Sequence, residues 1–327
     1  MENWLYGEDG YYSNYKEIGK EGDFYTAVSS SQFFGGSIAN EIIKMISKDD
    51  FSENVTICEI GAHKGYLIAD IIQFIYTLKK ELLKTLSFAI IEKFENLREK
   101  QKNYLREAFG DEVQIKFYSS LKDFKREEAI FIANEIFDAF PCELYYKGKI
   151  GVVENNKILF SEIDSKIENI AKKYEKDRGE IALNYGDFAR DMVSSSKKLE
   201  FISFDYGDLE PRPDFSIRVY KKHQVFPLLE ERLNLEDFYK TSDITFDVNF
   251  SHLRDEFEKA GAELVEFKTQ NRALVDFGII ELLQFLRDNS SENVYHSELN
   301  RVKILIDPAF MGERFKMIRF KKGSSNV

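Results

Sequence analysis

The chain has 327 residues, 46 Lys and Arg against 57 Asp and Glu, and a formal net charge of −11 at pH 7. That length can bury a full α/β core with an insertion, while the acidic balance disfavours a nonspecific nucleic-acid binder and suits a basic substrate. Two cysteines, Cys58 and Cys142, and four scattered histidines show no disulfide, redox or metal spacing, and no apolar run approaches the ~20 residues of a membrane span. With an acidic, aromatic start in place of a signal or transit peptide, a reduced, cytoplasmic protein without a structural metal is expected.

Gly22-Asp23-Phe24-Tyr25-Thr26 precedes SSSQFFGGSIANEIIKMI, whose spacing predicts an amphipathic helix with a serine-rich entry. The loop before it reads either as a helix cap or as a lid. Val55 to Asp70, VTICEIGAHKGYLIAD, is the most informative stretch. Val55, Ile57 and Ile60 suit a buried strand, Gly61 a sharp turn, and Gly65 opens the amphipathic run YLIADIIQFIYTLKKELL. The turn does not spell G-x-G-x-x-G, and Glu59 stands just before its first glycine. A carboxylate there suits a ligand carrying an ammonium or sulfonium better than a pyrophosphate, which points to S-adenosylmethionine (SAM). His63 is either a surface side chain of this loop or a group touching the ligand.

SFAIIE predicts a second strand, NLREKQKNYLREAF a helix stopped by Gly110, VQIKFY a third strand and AIFIANEIF a fourth. This alternation predicts a doubly wound, mostly parallel sheet that binds ligands outside the carboxyl ends of its strands. Those ends carry Glu59 to Gly61, Glu92, Tyr118 to Ser120 and Asn134 to Asp138. Glu92 can accept hydrogen bonds from both hydroxyls of a ribose. Glu135 and Asp138 could orient an amine or guanidinium, Asp138 alternatively capping a helix.

Beyond Pro141, CELYYKGKIGVVENNKILFSEI reads as a β-meander broken at Lys147-Gly148 and Asn155-Asn156. Two helical stretches, SKIENIAKKYEKD and GEIALNYGDFARDMVSSS, complete an inserted subdomain before LEFISFDYG returns to the sheet. Asp208 to Asn249 reads as a long, partly ordered loop. Ser251 then caps HLRDEFEKA, and AELVEF and FKMIRF are the last strands, with one helix, NRALVDFGIIELLQFLRDN, between them. The expected division is an N-terminal cover and lid over 1–50, a core over 51–140 and 199–327, and an inserted substrate-groove subdomain over 141–198.

In this order the blocks resemble the MidA family of class I SAM-dependent methyltransferases, over nearly the whole chain. Gly22-Asp23-Phe24-Tyr25-Thr26 with Gln32-Phe33-Phe34-Gly35 resembles its GDF-x-T signature, and Glu59-Ile60-Gly61 with Gly65 its cofactor loop. Ile91-Glu92 with Leu97-Arg98 and Gln101 resembles its acidic ribose-binding element, Tyr118 to Leu121 the region near the adenine, and Asn134 to Pro141 its N-E-F-F-D-A-L-P. Asp205-Tyr206-Gly207, Arg218-Val219-Tyr220 with His223-Gln224, Asp243 to Phe250 and Met311 to Lys316 follow in family order. Two departures stand out: His63 replaces the usual middle glycine, and Val28-Ser29-Ser30-Ser31 replaces the usual proline and acid.

The resemblance implies a class I methyltransferase, Rossmann-like core that uses SAM and yields S-adenosyl-L-homocysteine. Mitochondrial members assist respiratory complex I assembly by dimethylating an arginine of a complex I subunit, so a protein substrate is implied, with neither nucleic acid nor membrane insertion. Tyr25, Glu59, Gly61, His63, Gly65, Glu92, Ser120, Leu121 and Asn134 are the expected cofactor-binding residues. Glu135, Asp138, Asp23 and His223 are the expected catalytic set, with Asp205 as an outer member. Rival readings are a catalytically weak or silent SAM-fold assembly factor and an NAD-dependent oxidoreductase, the latter lacking the glycine pattern.

Overall fold

Eight strands of the computed structural model meet in one sheet: β1 (Thr56–Ile60), β2 (Ser87–Ile91), β3 (Ile115–Tyr118), β4 (Arg126–Asn134), β5 (Ser196–Asp208), β6 (Glu263–Thr269) and β7 (Phe315–Lys322) lie side by side, and the short Val248–Asn249 pairs in parallel with Gly207 and Asp208 of β5. The order of the seven side-by-side strands is β3-β2-β1-β4-β5-β7-β6. β1 pairs in parallel with β2 and β4, β2 with β3, and β4 with β5, whereas β6 runs antiparallel to β7. The order reverses between β1 and β4, which makes that gap the switch point where a doubly wound sheet opens a crevice. The structure describes residues 1–13, 26–162, 165–210, 212–222, 224–231 and 233–323.

The chain divides into a sheet unit of Thr26–Glu135, Ala189–Asp205 and Phe257–Val327, and a second unit of Met1–Tyr25, Ile136–Phe188 and Tyr206–Glu256. Burial on both faces explains why β1 is entirely buried and reads as an unbroken apolar run. The main helices of the sheet unit are α1 (Phe33–Ser47), α2 (Tyr66–Lys79), α3 (Glu95–Phe109), α4 (Gln270–Asp276), α5 (Ile279–Asn289) and α6 (Glu292–Ile306). α1 lies so close to α2 that a Cβ on Gly35 would stand 2.6 Å from Asp70 Cβ. Phe34 packs edge-on to Phe204, and Phe257 stacks on Phe320 with centroids 4.2 Å apart.

In the second unit, Lys157–Glu162, Lys149–Glu154, Cys142–Tyr146 and Arg178–Ala182 form an antiparallel sheet. Its turns fall at Lys147-Gly148 and Asn155-Asn156, all at positive φ, as the meander predicted. Phe137, Phe140, Tyr185 and Phe188 form an aromatic cluster beside it. Trp4 Nε1 donates to the carbonyl of Ser242 at 2.8 Å, which ties the chain start to the segment before Glu256.

Several expectations are corrected. GEIAL is a strand, Arg178–Ala182, paired with Cys142–Tyr146, and the helix begins only at Tyr185. The expected loop from Asp208 to Asn249 holds a three-stranded sheet, Gln224–Pro227, Arg218–Lys221 and Asp243–Thr245. Ser251 lies inside the helix Phe250–Ala260, whose start is capped instead by Asn249 Oδ1 accepting from the His252 amide at 3.1 Å. The single helix expected over Asn271 to Asn289 is two, parted at Gly278 with φ +95°, and α6 was not anticipated. The unit boundary also falls elsewhere than expected. Residues 26–50 belong with the sheet, because α1 packs on α2, and 206–256 belong with the insertion, where the Phe246 amide donates to the Asp138 carbonyl at 3.0 Å.

Candidate active site

At the carboxyl end of β1 the chain turns through three residues in the left-handed region: Gly61 at φ +67°, His63 at +47° and Gly65 at +81°. Gly65 starts α2, and a side chain there would be strained whatever space it found. The turn is registered on its neighbour, since the Gly61 amide donates to the Ile91 carbonyl and the Glu92 amide to the Tyr118 carbonyl, both at 3.0 Å. Glu59 and Glu92 therefore close adjacent parallel strands.

Glu59 is 4% exposed, and its Oε2 accepts from the Ile68 amide at 2.9 Å in the first turn of α2. Burial, with further repulsion from Asp70 and Glu92, nonetheless pushes its pKa up to about 8. Burial raises Glu92 as well, against the pull of the Phe94 amide, Gln101 and Arg98. Phe94 N donates to Glu92 Oε1 at 3.1 Å, while Arg98 Nη1 donates to its carbonyl at 2.7 Å. Asp70 is half-buried, and desolvation plus Glu298 lift it to about 7. Among the described residues none of these three acids forms an ion pair. Such a cluster is incomplete without a cation, so it fits the ammonium and sulfonium of SAM and does not fit a bare pyrophosphate.

The His63 side chain reaches the surface, yet its position among crowded protein atoms, with Lys64 and Lys100 nearby, lowers its pKa to about 4. It is therefore neutral at physiological pH and adds no positive charge to compete with a cationic ligand. Ser120, after β3, accepts from the Lys122 amide at 3.0 Å, and Leu121 beside it is buried. Asn134 ends β4, and its Nδ2 donates to Glu135 Oε1 at 2.7 Å. Asn134 Oδ1 is buried without a hydrogen-bond partner among the described residues. Glu135 has φ +53°, and its amide donates to the Phe204 carbonyl at 2.8 Å. A non-glycine residue held there by bonds on both sides is the kind of local strain that gathers at working sites.

Glu59, Gly61, His63, Gly65, Glu92, Ser120, Leu121, Asn134 and Glu135 thus all lie in the sheet unit, at strand ends or in the loops that follow them. Asp205 is fully buried near the end of β5. Asp138 belongs to the second unit, where burial raises it to about 6 against a hydrogen bond from Tyr206 and the charge of Arg218. The Arg218 guanidinium lies 4.7 Å from the Tyr206 ring centroid and bonds Asp247 Oδ1 at 2.9 Å. Asp23, Tyr25 and His223 lie outside the described residues. Sequence reasoning missed Asp70, four residues past the start of α2. The available signal was a carboxylate in an otherwise apolar helix entry.

A family model described as "Putative S-adenosyl-L-methionine-dependent methyltransferase" matches residues 37–268. The zebrafish (Danio rerio) protein arginine methyltransferase NDUFAF7, mitochondrial, is 26% identical over 94% of this chain and 78% of its own length. The human (Homo sapiens) protein of that name is also 26% identical, over 94% of this chain and 75% of its own length. A Burkholderia thailandensis protein crystallised with S-adenosyl-homocysteine has this fold, with a TM-score of 0.81 and 22% identity over 98% of this chain and 86% of that one. A native crystal structure from the same organism also gives 0.81, at 25% identity over 99% and 87% of the two chains. The acid-flanked loop at the switch point and the match over most of its length lead to one conclusion: this chain belongs to the MidA-like family of SAM-dependent methyltransferases.

Proposed function

We propose that the protein transfers methyl groups to an arginine side chain of another protein, with a respiratory complex I subunit as the first candidate substrate. The observation that carries the reading is Glu135. It directly follows β4, a strand that flanks the switch point, with its backbone at φ +53° and its carboxylate accepting from Asn134 Nδ2. The names of the curated relatives support arginine as the acceptor.

When bound, SAM supplies an electrophilic methyl group. The Glu59 and Glu92 carboxylates would hold its cationic and hydroxyl groups, with the Gly61–Gly65 turn giving the backbone close approach. A guanidinium stays protonated throughout the working pH range of a protein, so the acceptor nitrogen cannot be freed of its proton beforehand. Glu135 therefore serves best as a carboxylate that accepts guanidinium N–H bonds, aligns the nitrogen and takes up the proton as the new bond forms. Asp138, in the second unit, has a pKa of about 6 and is mostly ionised at neutral pH.

The test is incubation of the purified protein with methyl-labelled SAM and extract from cells lacking it, followed by peptide mass spectrometry. Label on arginine that disappears with Glu135→Gln supports the assignment. SAM binding without any labelled peptide would favour the silent assembly-factor reading.

A further inference from the structure

Leu97, Gln101 and Leu105 are the three buried residues of α3, spaced four apart on the stripe that faces the sheet. An amide is out of place on such a stripe. Gln101 is 0% exposed and its Oε1 has no hydrogen-bond partner among the described residues, so a leucine or methionine would serve packing better. Its Nε2 is well used, however. It donates to the carbonyl of His63 at 3.0 Å, and the same side chain acts on the Glu92 carboxylate, drawing its pKa down against burial. One amide group thereby joins the left-handed residue of the first loop to the acid that closes the second strand.

We propose that Gln101 is a positioning residue for the cofactor, bracketing the His63 turn to the Glu92 carboxylate so that both keep the geometry a nucleoside ligand needs. The inference rests on Glu92 acting as the acid for the ribose hydroxyls. Without the bracket the His63 carbonyl loses a donor, which frees a backbone conformation that a β-carbon disfavours. Glu92 loses a donor too, and its burial then weighs more heavily against the ionised form. Gln101 touches no reacting atom in this account and acts only through its two partners.

The experiment compares wild type with Gln101→Met and Gln101→Leu, titrating S-adenosyl-homocysteine by calorimetry from pH 5.5 to 9 and recording thermal melts without ligand. Methionine keeps the length of the side chain and leucine continues the stripe, so at least one variant is expected to melt at or above the wild-type temperature. The expected result is binding weakened by about tenfold at the acid end of the range and by less at the alkaline end, because losing the Gln101 donor moves Glu92 further up. Faster hydrogen exchange at the amides of residues 61–65 should accompany it. Weakening by one factor at every pH, or an unchanged profile, overturns the bracket. Failure of the wild type to bind at any pH would instead remove the cofactor site on which the bracket depends, a separate and distinguishable result.

Discussion

The Ile68 amide lies 2.9 Å from Glu59 Oε2, so the acid closing β1 is fastened to the first turn of α2. That bond stabilises the ionised form, but burial outweighs it and the pKa stands at about 8. A cationic ligand needs the carboxylate, so binding SAM at neutral pH should expel about one proton from this site. Calorimetry in buffers of different ionisation enthalpy should show that release, and affinity should fall as pH drops from 9 towards 6.

The same shift bears on stability. The folded value of about 8 lies above the ordinary 4.5, so this group's stabilising contribution is complete below pH 4.5 and is lost as pH rises through 8. Glu59→Gln should therefore stabilise the unliganded protein at pH 7.5 by roughly 2 kcal/mol in urea denaturation while abolishing SAM binding.

Glu92→Ala removes a charged acceptor. The expected loss in S-adenosyl-homocysteine affinity is about 10- to 100-fold, the scale of hydrogen bonds to a charged group. Titration of the purified variant checks it, and unchanged affinity would show that the ribose hydroxyls are held elsewhere.

Arg319 on β7 pairs with two nearly buried acids, Glu200 on β5 and Glu41 on α1, the latter at 2.8 Å and also 4.0 Å from Lys44. Arg319→Met leaves Glu200 without its cation, Glu41 keeping Lys44, and should destabilise the sheet unit by about 3 kcal/mol in denaturant melts.

In the second unit His252 is buried and its pKa is lowered to about 4, chiefly by desolvation. A depressed value means that its contribution is present above pH 6.5 and is lost as pH falls through 4. His252→Gln should flatten the loss of stability over that window, by about 2–3 kcal/mol between its ends, as followed by urea melts at stepped pH.

The parallel half of the sheet was legible because strands buried on both faces are written as apolar runs, each ending where a polar residue begins, as at Glu59 and Glu92. The three short strands around Arg218 were not, because three or four residues between prolines and lysines carry no alternation to read. GEIAL misled for a different reason. Its Glu, Ala and Leu favour helix, and only pairing with Cys142–Tyr146 makes it a strand. Of the site, the acids showed themselves as charges where apolar residues were expected. Asp70 showed only as a carboxylate in an apolar helix entry, and the role of Gln101 depends on contacts between a helix and a separate loop, which no local pattern encodes.

The strand order carries a consequence for synthesis. β7 comes last in the chain but lies between β5 and β6. Until residues 315–322 leave the ribosome, the nascent sheet has an open border at β5 and an orphan strand at β6 waiting for its mate. A ribosome stalled just short of that point would release a polypeptide whose buried centre is bare along one side, ready for capture by chaperones or for clumping.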